Sequence, residues 1–544
     1  MLGFTGTFRL IRLALRRDRI KLPVWILVLS IAMAVNVPAV TEFYGKTVEQ
    51  QVSYAANMAP SLAGRIFGGP ISDANVGAIV INETFLFSAV AVIFMSILCV
   101  VRHTRQNEET GRSELIGSAV VGRNASLGAA LIVTIGANII FSVLCALALI
   151  AADLPVDGSV GTAAALGGLG IMFAGIAAVT AQISDSARGA NSMAAIALGL
   201  VFLLRALGDS LGDLKESGLG VISAWPSWFS PIGWAQQVHP YTEQNWWLFG
   251  LMTAFFAACL AVAFYFNDRR DLGLGMISAR KGPANAPKAL LSVQGLANRL
   301  QKGVFRGWLA GAVIGGLMIG LIAKEFSKLF AENDAAREYL ESVGGGTSFE
   351  DIYFSAMLGL MGIVFAGYAI QALQRVRAEE ANGQLEPVLA THTSKPRWML
   401  SHIVFVIAGC ALMLATLGVS TGLMYWIVAD GVAASEIWRI TWAALAQFPA
   451  ILVIMGVIIA AFGLLPRMTV AIGWSAFGIC IFISQFAAFL ELPQYVLNIS
   501  PFTHLPSVPA EPLTYLPLTI LAGVGIGLLL TGIIAFRRRD ITTA

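Results

Sequence analysis

The stretch AIVINETFLFSAVAVIFMSILCVVRHTRQNEETGRSE, residues 78–114, joins an apolar run, Ala78–Val101, to an abrupt block of charge. At 1.5 Å per residue such a run is long enough to cross a hydrocarbon layer about 30 Å thick as one helix. The charged block reads Arg105-x-x-Glu108-x-x-Gly111-x-x-Glu114, and it returns as Arg377-x-x-Glu380-x-x-Gly383-x-x-Glu386, every position displaced by 272. On a helix Arg105 and Glu108, or Arg377 and Glu380, share a face at i,i+3, and the glycine that follows turns or ends the helix.

Working outward, the 544 residues are 57% hydrophobic and 12% charged, with a mean hydropathy of +0.75, which excludes a soluble globular protein. Twelve apolar runs recur, near Leu22–Val40, Ala78–Val101, Leu127–Ala152, Val160–Ile183, Ala190–Gly208, Trp247–Phe266, Gly307–Ala323, Ile352–Leu373, His402–Val428, Trp438–Leu465, Thr469–Leu490 and Leu513–Phe536. The fold class is therefore an all-α polytopic membrane protein with twelve expected transmembrane helices. Lys and Arg concentrate on the side that holds both termini, and Asp and Glu on the other, which predicts cytosolic termini. Both charged blocks then face the cytosol, acid where that rule expects base. The first run follows the basic segment Arg9 to Lys21 with no small-residue cleavage site and is expected to stay in the mature chain.

The chain reads as two fused six-helix halves. Leu13-Ala14-x-Arg16 leads to Trp25, and Leu296-Ala297-x-Arg299 leads to Trp308, at an offset of 283. Ser230-Pro231 and Ser500-Pro501 precede the sixth and twelfth runs. Six crossings return the chain to the side it left, so the repeat is parallel. The first half spans residues 1–271, with an elbow helix at 8–22, a charged loop at 102–124 and an outer re-entrant segment at 224–241. A cytosolic linker covers 272–289. The second half spans 290–544, with an elbow at 290–303, a loop at 374–398 and an outer segment at 493–517. Proline and aromatic density in the two outer segments predicts short interfacial helices. Gly311, Gly315, Gly316 and Gly320 are expected at close helix contacts.

No catalytic site is expected. Gly45-Lys46-Thr47 lacks the phosphate loop's leading glycine, since Val40 stands there. His103, His239, His392, His402 and His504 are scattered, no metal-ligand spacing emerges, and the five cysteines fall in or beside spans as packing residues. Ion coupling has one weak basis, Glu83 in the second span with Arg205 in the fifth as its possible outer partner. That leaves the duplicated loops as a docking surface, through Arg105, Glu108, Glu109, Gly111, Glu114, Arg377, Glu379, Glu380, Gly383 and Glu386.

These loops resemble the coupling helices in the membrane subunit of second-class ABC exporters. Glu380-x-x-Gly383-x-Leu385-Glu386 is close to that family's form, and the first copy departs from it with Ser113 where leucine is usual. The fused layout is similar to that of the permeases of actinobacterial polyketide-antibiotic (tetronasin-type) exporters. The resemblance implies a bacterial cytoplasmic-membrane permease that moves hydrophobic compounds outward: antibiotics, drugs or lipids. Two copies of a separate ATPase subunit, holding ATP and Mg, would dock on the loops. It also implies a substrate path along the second, fifth, eighth and eleventh spans, where Phe94, Met95, Phe202, Met357, Met361, Phe365, Tyr368, Trp474, Phe477 and Phe486 could line an adaptable apolar cavity. No nucleic-acid partner is indicated. A secondary drug/proton antiporter is the rival reading, but its buried carboxylates and basic signature are missing. A membrane-embedded transferase would need a polar catalytic cluster in a large loop.

Overall fold

The computed structural model describes residues 2–271, 273–277, 282, 284–331, 348–429, 431–486 and 493–541. It separates into two compact units, Met1–Gly282 and Pro283–Ala544. Eleven helices among the described residues are long and apolar enough to cross a membrane, so the chain is an all-α, multi-pass membrane protein. The expected run Thr469–Leu490 is the exception to twelve. Its helix is described over Thr469–Phe486, and residues 487–490 lie outside the described residues.

The first unit begins with α1 (Thr7–Arg17) and α2 (Lys21–Val40), followed by α3 (Val48–Met58) and α4 (Val76–His103). Short α5 (Arg105–Glu109) and α6 (Arg112–Gly117) lead to α7 (Ala125–Ala151), α8 (Val156–Ile183), α9 (Ala187–Ser210), α10 (Pro231–Gln236) and α11 (Leu248–Arg269). The α8 helix is rich in Gly and Ala and sits at the centre, packed against α4, α7, α9 and α11. The segment 224–241 includes the 3-10 turn Trp225–Phe229 and α10, which Ser230 caps by accepting from the Gly233 N–H at 3.2 Å.

In the second unit α12 (Val293–Ala331) is followed by α13 (Phe349–Ala381), α14 (Leu385–Leu389), α15 (Lys395–Val428), α16 (Ser435–Leu445) and α17 (Phe448–Leu464). Then come α18 (Thr469–Phe486), α19 (Gln494–Leu497) and α20 (Tyr515–Arg538). The run Trp438–Leu465 is broken in two because Pro449 has no N–H for the Leu445 carbonyl. Gly456 and Gly463 lie against Gly525 and Gly532, so α17 and α20 approach closely. Of the four glycines expected at contacts, Gly316 and Gly320 meet α15, whereas Gly311 and Gly315 face open space.

The two elbows differ. In the first, Pro23 cannot donate to the Arg19 carbonyl, so α1 ends at Arg17 and α2 starts anew. The corresponding position in the second is Arg306, and the helix runs unbroken from Val293. The expected separate elbow at 290–303 is therefore the beginning of α12, preceded by a 3-10 turn at Lys288–Leu291.

Candidate functional site

Both charged loops fold alike. After Glu108 and after Glu380 the helix closes on a left-handed glycine, Gly111 at φ 71° and Gly383 at φ 70°. The Gly111 N–H donates to the Glu108 carbonyl and the Gly383 N–H to that of Glu380, each at 3.1 Å. A side chain at either glycine would meet nothing within 4 Å, so the backbone angle is what demands glycine. A second short helix, α6 or α14, follows each turn.

The first acidic position does not face outward as the sequence suggested. Glu380 is fully buried and accepts from Arg377 at 3.0 Å and from Arg539 at 2.6 and 3.0 Å. Glu108 is nearly buried and accepts from Arg105 at 2.5 Å and from Arg270 at 2.7 Å, with a second Arg270 contact to its other oxygen. Arg270 and Arg539 each stand one residue beyond the last helix of their unit. The forked guanidinium grips a carboxylate with two parallel bonds, which fixes orientation as well as distance.

A third element joins each lock. Arg270 donates to Gln182 at the end of α8 at 2.6 Å, and Arg539 to the Phe462 carbonyl near the end of α17 at 3.2 Å. Arg105, buried, also reaches the carbonyls of Gly273 and Leu274. In each unit a buried carboxylate thus ties the charged loop to the ends of two further helices. Losing one partner would strand a charge in a dry site.

Glu109 and Glu379 diverge. Glu109 is exposed and accepts from the Ala187 N–H at 3.0 Å, at the positive end of α9. Glu379 is buried against Arg375 at 2.9 Å and His402 at 3.6 Å. The acids left outward are Glu114 on α6 and Glu386 on α14, together with Glu109. Leu385, beside Glu386, is fully buried and anchors α14, whereas Ser113 only partly fills the same place under α6.

Glu83 and Arg205 are not a pair. Exposed Glu83 accepts from Tyr54 at 2.6 Å. Arg205, fully buried, lies 3.4 Å from Asp209 and donates to the Ile66 carbonyl. Asp209 in turn accepts from Ser223 at 2.7 Å and Ser227 at 3.1 Å, which fastens the outer 3-10 turn to α9. These contacts make a cap with paired charges.

The expected cavity residues differ in burial within their own units. Met95, Phe365 and Tyr368 are buried in the cores of their units, with Phe202, Met357, Met361 and Phe477 packed against those cores. Phe94 and Trp474 are exposed, and the side chain of Phe486 lies outside the described residues. Cavities of about 530, 340, 800 and 550 Å³ in the first unit are lined by other residues. One cluster escaped sequence spacing: Asp18, Cys99 and His103 bring donor atoms within 4.8 Å of one another. Asp18 is already held by Arg102 at 2.8 Å and His103 at 2.7 Å, so the cluster is a salt link between the elbow and α4.

Residues 290–537 match the family described as "Multidrug efflux system permease Rv1217c, C-terminal domain". Across 540 residues the chain is 36% identical to the multidrug efflux system permease protein Rv1217c of Mycobacterium tuberculosis, covering 99% of this chain and 96% of that protein. The chain belongs to the Rv1217c family of multidrug efflux system permeases. Membership extends over both units, so each of the two charged loops lies within the matched region. In this permease the sequence signal for the lock is a second short repeat, Arg269-Arg270-Asp271 and Arg538-Arg539-Asp540, just after the last apolar run of each half.

Proposed function

We propose that this permease is the membrane subunit of an ATP-driven ABC exporter that carries hydrophobic compounds, drugs or antibiotics among them, out of a bacterial cell. In this reading α18 is the remaining span of twelve, the two halves are a parallel repeat, and both termini are cytosolic. Two copies of a separate ATPase, holding ATP and Mg, dock on the two loops. The chain itself carries out no hydrolysis.

The observation that carries the reading is the double occurrence of the loop with its internal lock. A docking element must be rigidly fixed to the spans it moves, or a push on it is lost in local bending. Glu108 and Glu380 supply that rigidity from within, and the left-handed glycines aim the second helices. Glu114, Glu386 and Glu109 remain outward for a basic groove on the partner. Docking therefore falls to Glu114 and Glu386, and Glu108 and Glu380 position the helices that carry them.

The test is coexpression with a separate ABC ATPase subunit from the same genome, purification, and reconstitution in lipid. ATP hydrolysis stimulated several-fold by hydrophobic drugs supports the reading. Drug transport driven by a proton gradient with no ATPase present would replace it with the antiporter.

A further inference from the structure

Beneath α6 the first unit holds a cavity of about 530 Å³, bounded by α1, α6 and α7. Its lining brings apolar Leu10, Leu13 and Ile116 together with three exposed cations, Arg16, Arg17 and Arg112. No carboxylate lines it. Among the described residues none of these arginines makes a salt bridge, and the nearby Asp18 is taken by Arg102 and His103. Arg17 is held in place by Asn107, which accepts from Nη1 at 2.7 Å. Desolvation, then the charge of Arg112, lowers the affinity of the Arg17 guanidinium for its proton, and the Asp18 charge offsets only part of this.

Three cations gathered against an apolar wall repel one another unless an anion joins them. The amphipathic α1 leaves Phe8, Leu13 and Leu15 exposed beside its arginines, as a helix in the headgroup layer does. We propose that this cavity binds the phosphodiester headgroup of an anionic phospholipid, with Arg16, Arg17 and Arg112 on the phosphate and the apolar wall on the glycerol and first methylenes. The lipid bridges α1 to α6, the short helix that lacks the anchor Leu385 gives α14. Lipid composition thereby sets how firmly the first loop is seated. Binding stands apart from the exporter reading; only its effect on transport rests on that reading.

The test uses the full chain in mild detergent and native mass spectrometry with phosphatidylglycerol, phosphatidylcholine and inorganic phosphate. The wild type should retain phosphatidylglycerol about tenfold over phosphatidylcholine. The variant R16Q/R17Q/R112Q should lose that preference, and Ile116→Trp, which narrows the cavity without changing charge, should weaken lipid retention. Arg9→Gln with Arg12→Gln, on the same helix outside the cavity, should keep it. Millimolar phosphate should not displace the lipid; displacement would make the site one for free phosphate and overturn the lipid assignment. Equal loss in the Arg9/Arg12 variant, or retention in the triple variant, would overturn the site itself.

Discussion

Glu380 and Arg539 stand 159 positions apart, yet the guanidinium of Arg539 holds both oxygens of the Glu380 carboxylate, at 2.6 and 3.0 Å, in a site where Glu380 has no solvent exposure. A charge in such a place must keep its partners. Arg539→Gln should therefore destabilise the second unit by about 3–5 kcal/mol, since it takes the two-pronged cationic partner from a buried carboxylate. Glu380→Gln with Arg539→Gln should recover much of that loss, because the two changes couple. Thermal unfolding of the three purified variants in one detergent checks both statements.

The location of the spans and the glycine turn was legible because hydrophobicity and left-handed φ are local properties. Ser230 and Ser500, both before proline, could likewise be read as caps. The burial of Glu108 and Glu380 was not legible, since it depends on arginines beyond 150 residues away that no helical period connects. An acid at a span end has the same local pattern whether it faces a partner or its own chain. The unequal elbows could have been foreseen from Pro23, which has no counterpart at Arg306. The aromatic and methionine set divides between buried and exposed positions, because residue type alone does not set burial.

Gly383→Ala and Gly111→Ala should each cost about 1–2 kcal/mol, the penalty of a left-handed backbone with a Cβ, because nothing nearby clashes. Asn at either position should cost less. Unfolding midpoints should fall in the order glycine, asparagine, alanine, and an unchanged midpoint for alanine would show that the turn relaxes freely.

Leu385→Ala should lower stability by about 2–5 kcal/mol as a buried apolar truncation. Ser113→Leu, in the matching place beside a cavity of about 340 Å³, should leave stability unchanged or raise it. Protection of α6 and α14 in hydrogen exchange should follow the same order.

Asp18 gives a pH dependence of known sign. Burial opposes its charge, but His103 and Arg102 outweigh it and hold the carboxyl below its ordinary 3.8. A folded pKa below the unfolded one contributes stability that is present above the unfolded value and lost as pH falls through the folded value. Unfolding midpoints from pH 6 to pH 3 should drop on the acid side, and Asp18→Asn should flatten that drop while lowering the plateau.

The division of labour between the buried acids, Glu108 and Glu380, and the exposed Glu114 and Glu386 is tested most directly by charge reversal in the reconstituted complex with the ATPase. Glu114→Lys with Glu386→Lys should leave the permease folded, with an unchanged unfolding midpoint, and should reduce drug-stimulated ATP hydrolysis at least tenfold. Full stimulation in that double variant would contradict docking through the second helices.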